Sequence, residues 1–302
     1  MTRQLLGLSA GSVGGNAETL LKKALTAAEA EGAHVSLVRL QELRLTSGPD
    51  EDQPDDTPWF WNQLMEADGL IVSSPIYTRA LPGRLKLLAD KMLGPNADRA
   101  IVEQILDMRR KGQEPVVPFH VDERIMRPRV AGFIAVGGAL LPRWRIFALP
   151  LMHGLTFSMQ TAVVDHMVVG GAGLPQSVVM DDAAMTRAAR LGSNVATQLG
   201  RTFGEAEYVG DQGSCPVCHL DLVALRGQEV ICATCGAQGQ LRSDCSIAWT
   251  DLATSVISMQ EKRTHYAEIL ETATRLGQVS EQITARASEF AQFTHVIRPD
   301  RR

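Results

Sequence analysis

Aromatic residues are scarce in this chain of 302 residues, at 5% of the total, which argues against an aromatic-rich β-sandwich. An excess of one charge is lacking too. The 30 Lys and Arg against 34 Asp and Glu leave a net −4, so there is no strongly basic surface to draw nucleic acid or an anionic membrane. Long apolar runs are missing: the most apolar window, residues 130–154, is interrupted by Arg143 and Arg145, where a bilayer span needs about 20 uninterrupted residues. The first ten residues carry an apolar stretch too short for a secretory signal. A soluble, cytoplasmic protein without nucleic acid or membrane partners is expected. Cysteine is absent from the first 214 residues, and all five cysteines fall between Cys215 and Cys245. That clustering excludes a disulfide framework and points to a local metal site.

What is present is 26 glycines and 45% hydrophobic residues, in a chain long enough for about two domains. Short apolar runs at residues 5–9, 34–40, 69–73, 130–136 and 162–169 alternate with amphipathic segments at 17–31, 81–93 and 181–203. This pattern predicts a parallel sheet covered by helices. The acidic, Pro-rich stretch 46–58 reads as a loop. Residues 94–128 form an insertion before the fourth strand, with a short helix expected at 98–110; a lid or a subunit contact is its expected use. Residues 249–293 read as a long helical region. Its apolar positions keep helical spacing from Leu252 to Phe290 with a break at Gly277, and residues 298–302 form a basic tail. Such a stripe needs a partner: a second copy is expected to cover it, the alternative being the chain's own body.

Two segments carry chemistry on their residue types alone. The first strand runs into Ser9-Ala10-Gly11-Ser12-Val13-Gly14-Gly15-Asn16 and then a helix. Small residues let backbone N–H groups approach an anion, and the helix amino terminus adds a positive dipole end, so this is a phosphate-binding loop. It lacks the Gly-Lys-Ser/Thr of a P-loop and a clean G-x-G-x-x-G. The second segment is Cys215-Pro-Val-Cys218 and Cys232-Ala-Thr-Cys235, two C-x-x-C knuckles whose thiolates can converge on one ion. They predict a structural zinc ribbon, with a rubredoxin-like iron site as the alternative. Gly236 suits the left-handed turn that follows a knuckle. The ribbon's few cationic or potentially cationic side chains, His219, Arg226 and Arg242, speak against a nucleic acid partner.

The third apolar run ends in Ser73-Ser74-Pro75-Ile76-Tyr77-Thr78, followed by Leu81-Pro82-Gly83-Arg84-Leu85-Lys86 and then Asp90-Lys91. Together with the loop at 9–16, this pattern resembles the NAD(P)H-dependent FMN reductases of the flavodoxin-like fold, over about the first two thirds of the chain. The resemblance implies an α/β, doubly wound, five-stranded parallel sheet with bound FMN, and NAD(P)H as co-substrate. By position, Ser9, Ala10, Ser12 and Asn16 match the family's phosphate loop. Pro75, Ile76, Tyr77 and Thr78 match the turn against the isoalloxazine, and Gly137, Gly138 and Ala139 match a further turn at the ring. Where relatives often have Ser and Arg, this loop has Ala10 and Ser12, which shifts phosphate binding toward backbone amides. Related iron–sulfur flavoproteins carry cysteines after the second strand, and none stands at residues 45–56 here.

The implied organisation is an FMN-binding domain at 1–203, a zinc ribbon at 210–241 and a helical tail at 246–295. The implied activity is two-electron reduction of a small electron-poor acceptor such as a quinone, a nitroaromatic or free flavin, by hydride transfer through flavin N5. The cofactor carries that chemistry, so no protein acid or base is obligatory. Tyr77, Trp144 and His153 are the candidate catalytic contacts to the acceptor, with Arg79, His120 and Arg124 as further candidates. The family's association through the flavin domain makes a homo-oligomer, dimer or tetramer, the expected state. Two other readings stay open: a Rossmann-type dehydrogenase with Glu42 on a ribose, and a flavin or metal redox sensor or partner-binding protein whose working surface is the ribbon and tail.

Overall fold

A computed structural model describes residues 3–46, 53–115, 119–291, 294, 295 and 297. Part of the loop expected at 46–58 and all of the basic tail at 298–302 lie outside these residues. The apolar runs form β1 (Gln4–Ser9), β2 (His34–Arg39), β3 (Gly69–Pro75), β4 (Val130–Val136) and β5 (Ala162–Val169), all parallel, in the order β2-β1-β3-β4-β5. Every residue of β4 is buried, because in a parallel sheet both faces are covered. This strand order is the flavodoxin-like one, which removes the dehydrogenase reading. Glu42 instead pairs with Arg39 at 3.0 Å.

One face of the sheet is covered by α1 (Asn16–Ala30) and α6 (Asp182–Gln198). Their backbones pass so closely that a Cβ at Gly192 would lie 1.9 Å from the Ala24 carbonyl oxygen. The other face carries α2 (Thr57–Glu66), α3 (Gly83–Met92) and α5 (Ala148–His153). Helix α2 starts inside the stretch expected to be loop. Asp55 accepts from the Thr57 N–H at 2.8 Å, and Phe60, Leu64 and Met65 are buried. Helix α6 ends at Gln198 rather than 203, where Gly200 turns the chain at φ +84°.

Among the described residues the insertion forms no lid over the carboxyl edge. It follows α3, which has already returned the chain to the amino edge of the sheet. Its helix α4 (Arg99–Arg110) is tied there by the Arg99 N–H to the Ser158 carbonyl at 2.8 Å. Arg127 pairs with Asp68, just before β3, at 2.8 Å. His120 and Arg124 belong to this edge, with Arg124 on Asp122 and Glu66, so neither reaches the ends of the strands where ligands bind.

The cysteine segment builds a separate antiparallel sheet of β6 (Val223–Arg226), β7 (Glu229–Cys232), β8 (Gln238–Leu241) and β9 (Ile247–Asp251). Strand β9 takes the start of the region expected to be helical, and Trp249 anchors it by donating its indole N–H to the Ser214 carbonyl at 2.8 Å. The helices are α7 (Met259–Gly277) and α8 (Ser280–Ala291), parted just after Gly277. The first half of α7 packs on α4, with Tyr266 buried against Ile101 and Ile105 and Arg263 on Glu103 at 3.0 Å. Farther along, Leu276, Ile283 and Phe290 are exposed. Among the described residues no helix is long and apolar enough to cross a membrane.

Candidate functional site

Three loops meet at the carboxyl edge. The first leaves β1 at Ser9, whose hydroxyl is fully buried with no partner among the described residues. A buried orphan hydroxyl is costly unless something accepts from it or donates to it, so it is a mark of a ligand position. No side chain caps α1, which leaves amide donors of its first turn and its positive dipole end available to an anion. Gly11 lies close under the third strand's end, where a Cβ would meet Ala17 Cβ at 3.0 Å and Pro75 Cδ at 3.5 Å. This set of donors and the narrow glycine passage fit a phosphate monoester.

The second loop turns back on itself. Tyr77 and Ala80 exchange backbone hydrogen bonds at 2.9 Å each, and the two residues between them, Thr78 and Arg79, have φ of 49° and 68°. Two positive φ values in succession are what a type I′ turn demands, usually of Asn and Gly. A β-branched Thr there is strained by about 1–3 kcal/mol, and such strain gathers at ligand sites. The turn is held by the Ile76 N–H on the Val136 carbonyl at 2.9 Å, by the Arg79 guanidinium over the Phe147 ring at 4.5 Å, and by its Nε on the Arg143 carbonyl at 3.1 Å. Tyr77 is 56% exposed.

The third loop, residues 137–147, starts at Gly137, whose N–H donates to Val169 at 3.0 Å and whose carbonyl accepts from Ala172 at 3.2 Å. Close approach explains Gly138, where a Cβ would stand 3.2 Å from Gly173 Cα. Beyond it Leu140, Leu141, Trp144, Ile146 and Phe147 are all exposed. Large apolar side chains gathered this way mark a binding surface.

The sequence-derived residues therefore divide. Ser9, Ala10, Ser12, Pro75, Ile76, Tyr77, Thr78, Gly137, Gly138, Ala139 and Trp144 belong to the loops of one edge. Asn16 belongs there too, but its side chain is engaged elsewhere: Nδ2 donates to Ala172 and Leu174 at 3.1 and 2.8 Å, and Oδ1 accepts from Val178 N–H at 3.0 Å. It clasps the loop after β5, a fourth segment that sequence reasoning passed over. The signal was Gly170-Gly171-Ala172-Gly173 at the end of a strand. His153 lies away from this edge. It is 1% exposed, edge-on to Phe133 at 5.3 Å and to His166 at 5.6 Å, and burial pushes its pKa down to about 3. It lines a cavity with Phe157, Tyr208, Pro216 and His219, apart from the three loops.

The four knuckle cysteines are buried, and their sulfurs all lie within 4.8 Å of one another. Cys215 and Cys235 are 3.6 Å apart and Cys218 and Cys232 3.5 Å. Disulfide sulfurs would be about 2.05 Å apart, whereas the edge of a tetrahedron with metal–sulfur bonds of about 2.3 Å is about 3.8 Å. The geometry is compatible with zinc. The two knuckles repeat each other: His219 N–H donates to the Cys215 carbonyl and Gly236 N–H to the Cys232 carbonyl, each at 2.9 Å, with φ of 58° and 81°. Cys245 is exposed and apart. Outside the knuckles, His219 stacks on Tyr208 at 3.8 Å. Arg187 bridges Asp165 of β5 at 3.0 Å and Asp211 at 3.1 Å. The cysteines share one apolar cluster with Phe133 and Met152.

Residues 4–141 match the family described as NADPH-dependent FMN reductase. A flavone synthase from Aspergillus candidus is 40% identical over 258 residues, covering 79% of this chain and 78% of its own. A solved structure of a flavone reductase superposes with a TM-score of 0.82 at 25% identity, over 98% of this chain and 100% of that one.

Proposed function

Since this chain belongs to the NADPH-dependent FMN reductase family and is an NAD(P)H-dependent FMN oxidoreductase, we propose that its acceptor is a planar, electron-poor aromatic ketone of the flavone class. The observation that carries this reading is the apolar surface of Tyr77, Leu140, Leu141, Trp144 and Phe147 beside the strained turn. A flat, largely uncharged molecule gains from such a surface roughly 25 cal/mol for each Å² of apolar area covered. Of the two relatives, one is a flavone reductase, which supports a flavone as acceptor, and the other is a flavone synthase, which shares the compound class but forms it.

In this reading the backbone amides between Gly11 and Asn16 that make no bond within the loop, with the hydroxyls of Ser9 and Ser12, hold the FMN phosphate; the Ala10 and Gly15 amides are spent on the Ser73 and Ser12 carbonyls at 2.8 and 2.9 Å. Pro75, Ile76, Tyr77 and Thr78 set one side of the ring, and Gly137, Gly138 and Ala139 admit its polar edge. FMN, when bound, supplies the two-electron hydride chemistry between the nicotinamide and the acceptor. Arg79, held by Phe147 and Arg143, keeps the turn in place. The Tyr77 hydroxyl donates a hydrogen bond to the acceptor's carbonyl oxygen, where negative charge grows as hydride arrives. In the cysteine sheet the metal is zinc, closed by four thiolates and structural.

Tyr77→Phe tests the acceptor assignment. Loss of a hydrogen bond to developing charge is expected to lower flavone turnover by roughly tenfold or more, with NADPH-dependent flavin reduction unchanged. Equal turnover in the variant would remove Tyr77 from contact with the acceptor.

A further inference from the structure

We propose that this protein has a second binding site, at the amino edge of the sheet, for a small organic monoanion: a carboxylate carrying an apolar body. The site is a cavity of about 500 Å³ walled by α4, the link between α5 and β5, the second cysteine knuckle and the first turns of α7. Its volume lies in the range of small-molecule sites, roughly 300–1,000 Å³.

Lys262 stands in the wall and is 5% exposed. Its ammonium donates to the Val256 carbonyl at 2.7 Å, and among the described residues it has no ion-pair partner. Asp98 also lines the cavity, but it caps α4, accepting from Ala100 and Ile101 N–H at 2.9 and 3.2 Å. Asp98 attracts the ammonium across the cavity but makes no ion pair with it, and a buried ammonium without a directly paired counter-ion is costly, lysine being rarely fully buried unless paired. Two further groups of the same wall, the hydroxyls of Ser158 and Thr234, are buried and without partner among the described residues. Water can satisfy hydroxyls, but it does not neutralise the lysine. A carboxylate offers both a counter-charge to the ammonium and acceptor oxygens to hydroxyls of the same wall. The remaining lining, including Ile101, Phe157 and Ile269, suits an apolar body. Asp98 and Glu261 nearby repel additional negative charge, which selects a monoanion. Such a ligand would join the insertion, the cysteine knuckle and α7.

The probes are sodium benzoate and sodium hexanoate, titrated calorimetrically into the full-length, FMN- and metal-loaded protein, with benzamide as a neutral control. Saturable binding of at least one carboxylate is expected, about tenfold weaker or more for benzamide and for Lys262→Met, and unchanged in Tyr77→Phe. Should Lys262→Met fail to fold, the double variant Ser158→Ala with Thr234→Val keeps the ammonium and is expected to weaken binding by roughly three- to tenfold. No binding of either carboxylate below about 10 mM would overturn the site. So would equal affinity for benzamide, an unchanged affinity in the lysine or hydroxyl variants, or loss of binding in Tyr77→Phe, which would place the anion at the flavin edge instead.

Discussion

Asn16→Ala separates two roles that one side chain could have. Its amide makes three hydrogen bonds to the loop after β5, at 2.8, 3.0 and 3.1 Å, and two partly buried bonds with one exposed one, at roughly 1 kcal/mol or less each, amount to about 2–3 kcal/mol. That energy holds residues 172–178 against the amino end of α1, so the loop's opening equilibrium should rise by roughly 30- to 150-fold. Hydrogen exchange at those residues is the direct assay, with FMN affinity from fluorescence titration beside it. Asn16→Asp refines the experiment. It keeps the acceptor for Val178 but turns an oxygen toward the carbonyls of Ala172 and Leu174, so it should loosen the loop although a carboxylate suits a helix amino terminus. If FMN affinity fell in Asn16→Ala while exchange at 172–178 stayed as in the wild type, the side chain would hold the phosphate directly and the clasp would be wrong.

Gly192→Ala forces a methyl group to within 1.9 Å of the Ala24 carbonyl oxygen, so α1 and α6 must part. A loss of roughly 1–3 kcal/mol or more is expected in urea unfolding, and an unchanged midpoint would mean the helices have slack. Cys232→Ser should empty the metal site, since closure of the four thiolates and local folding are one process. Because the cysteines share a core with Phe133 and Met152, the flavin domain should melt earlier as well. A flavin-domain transition that stays put would show the ribbon to be an independent module.

How much of this was legible in the sequence depends on the range of the contacts involved. Strand β4 matches its apolar run end to end, because a strand covered on both faces writes its burial as a continuous run, and β5 matches its bounds although Asp165 and His166 interrupt its run. The knuckles were legible because metal ligands need fixed local spacing. Helix α2 was not, since its apolar face begins directly after an acidic, Pro-rich stretch that masks its start. Strand β9 was misread because Trp249 and Leu252 keep a spacing that also suits a helix, and its hydrogen-bonded partners lie in β8. His153 lies in a helix near the apolar 140–147 segment, and its burial comes from Phe133, Phe157 and His166, which the sequence places far apart. The positive φ at Thr78 and Arg79 carries no mark in the sequence, because neither residue is one that favours it.

The most direct test of the account is an anaerobic half-reaction experiment on the full-length, FMN-loaded protein. NADPH should bleach the flavin's visible band, and a flavone added afterwards should restore it with consumption of one flavone for each flavin reoxidised. A band that NADPH bleaches but no flavone restores would contradict the acceptor class. A protein that binds no FMN, or whose FMN NADPH cannot reduce, would contradict the assignment of the carboxyl edge itself.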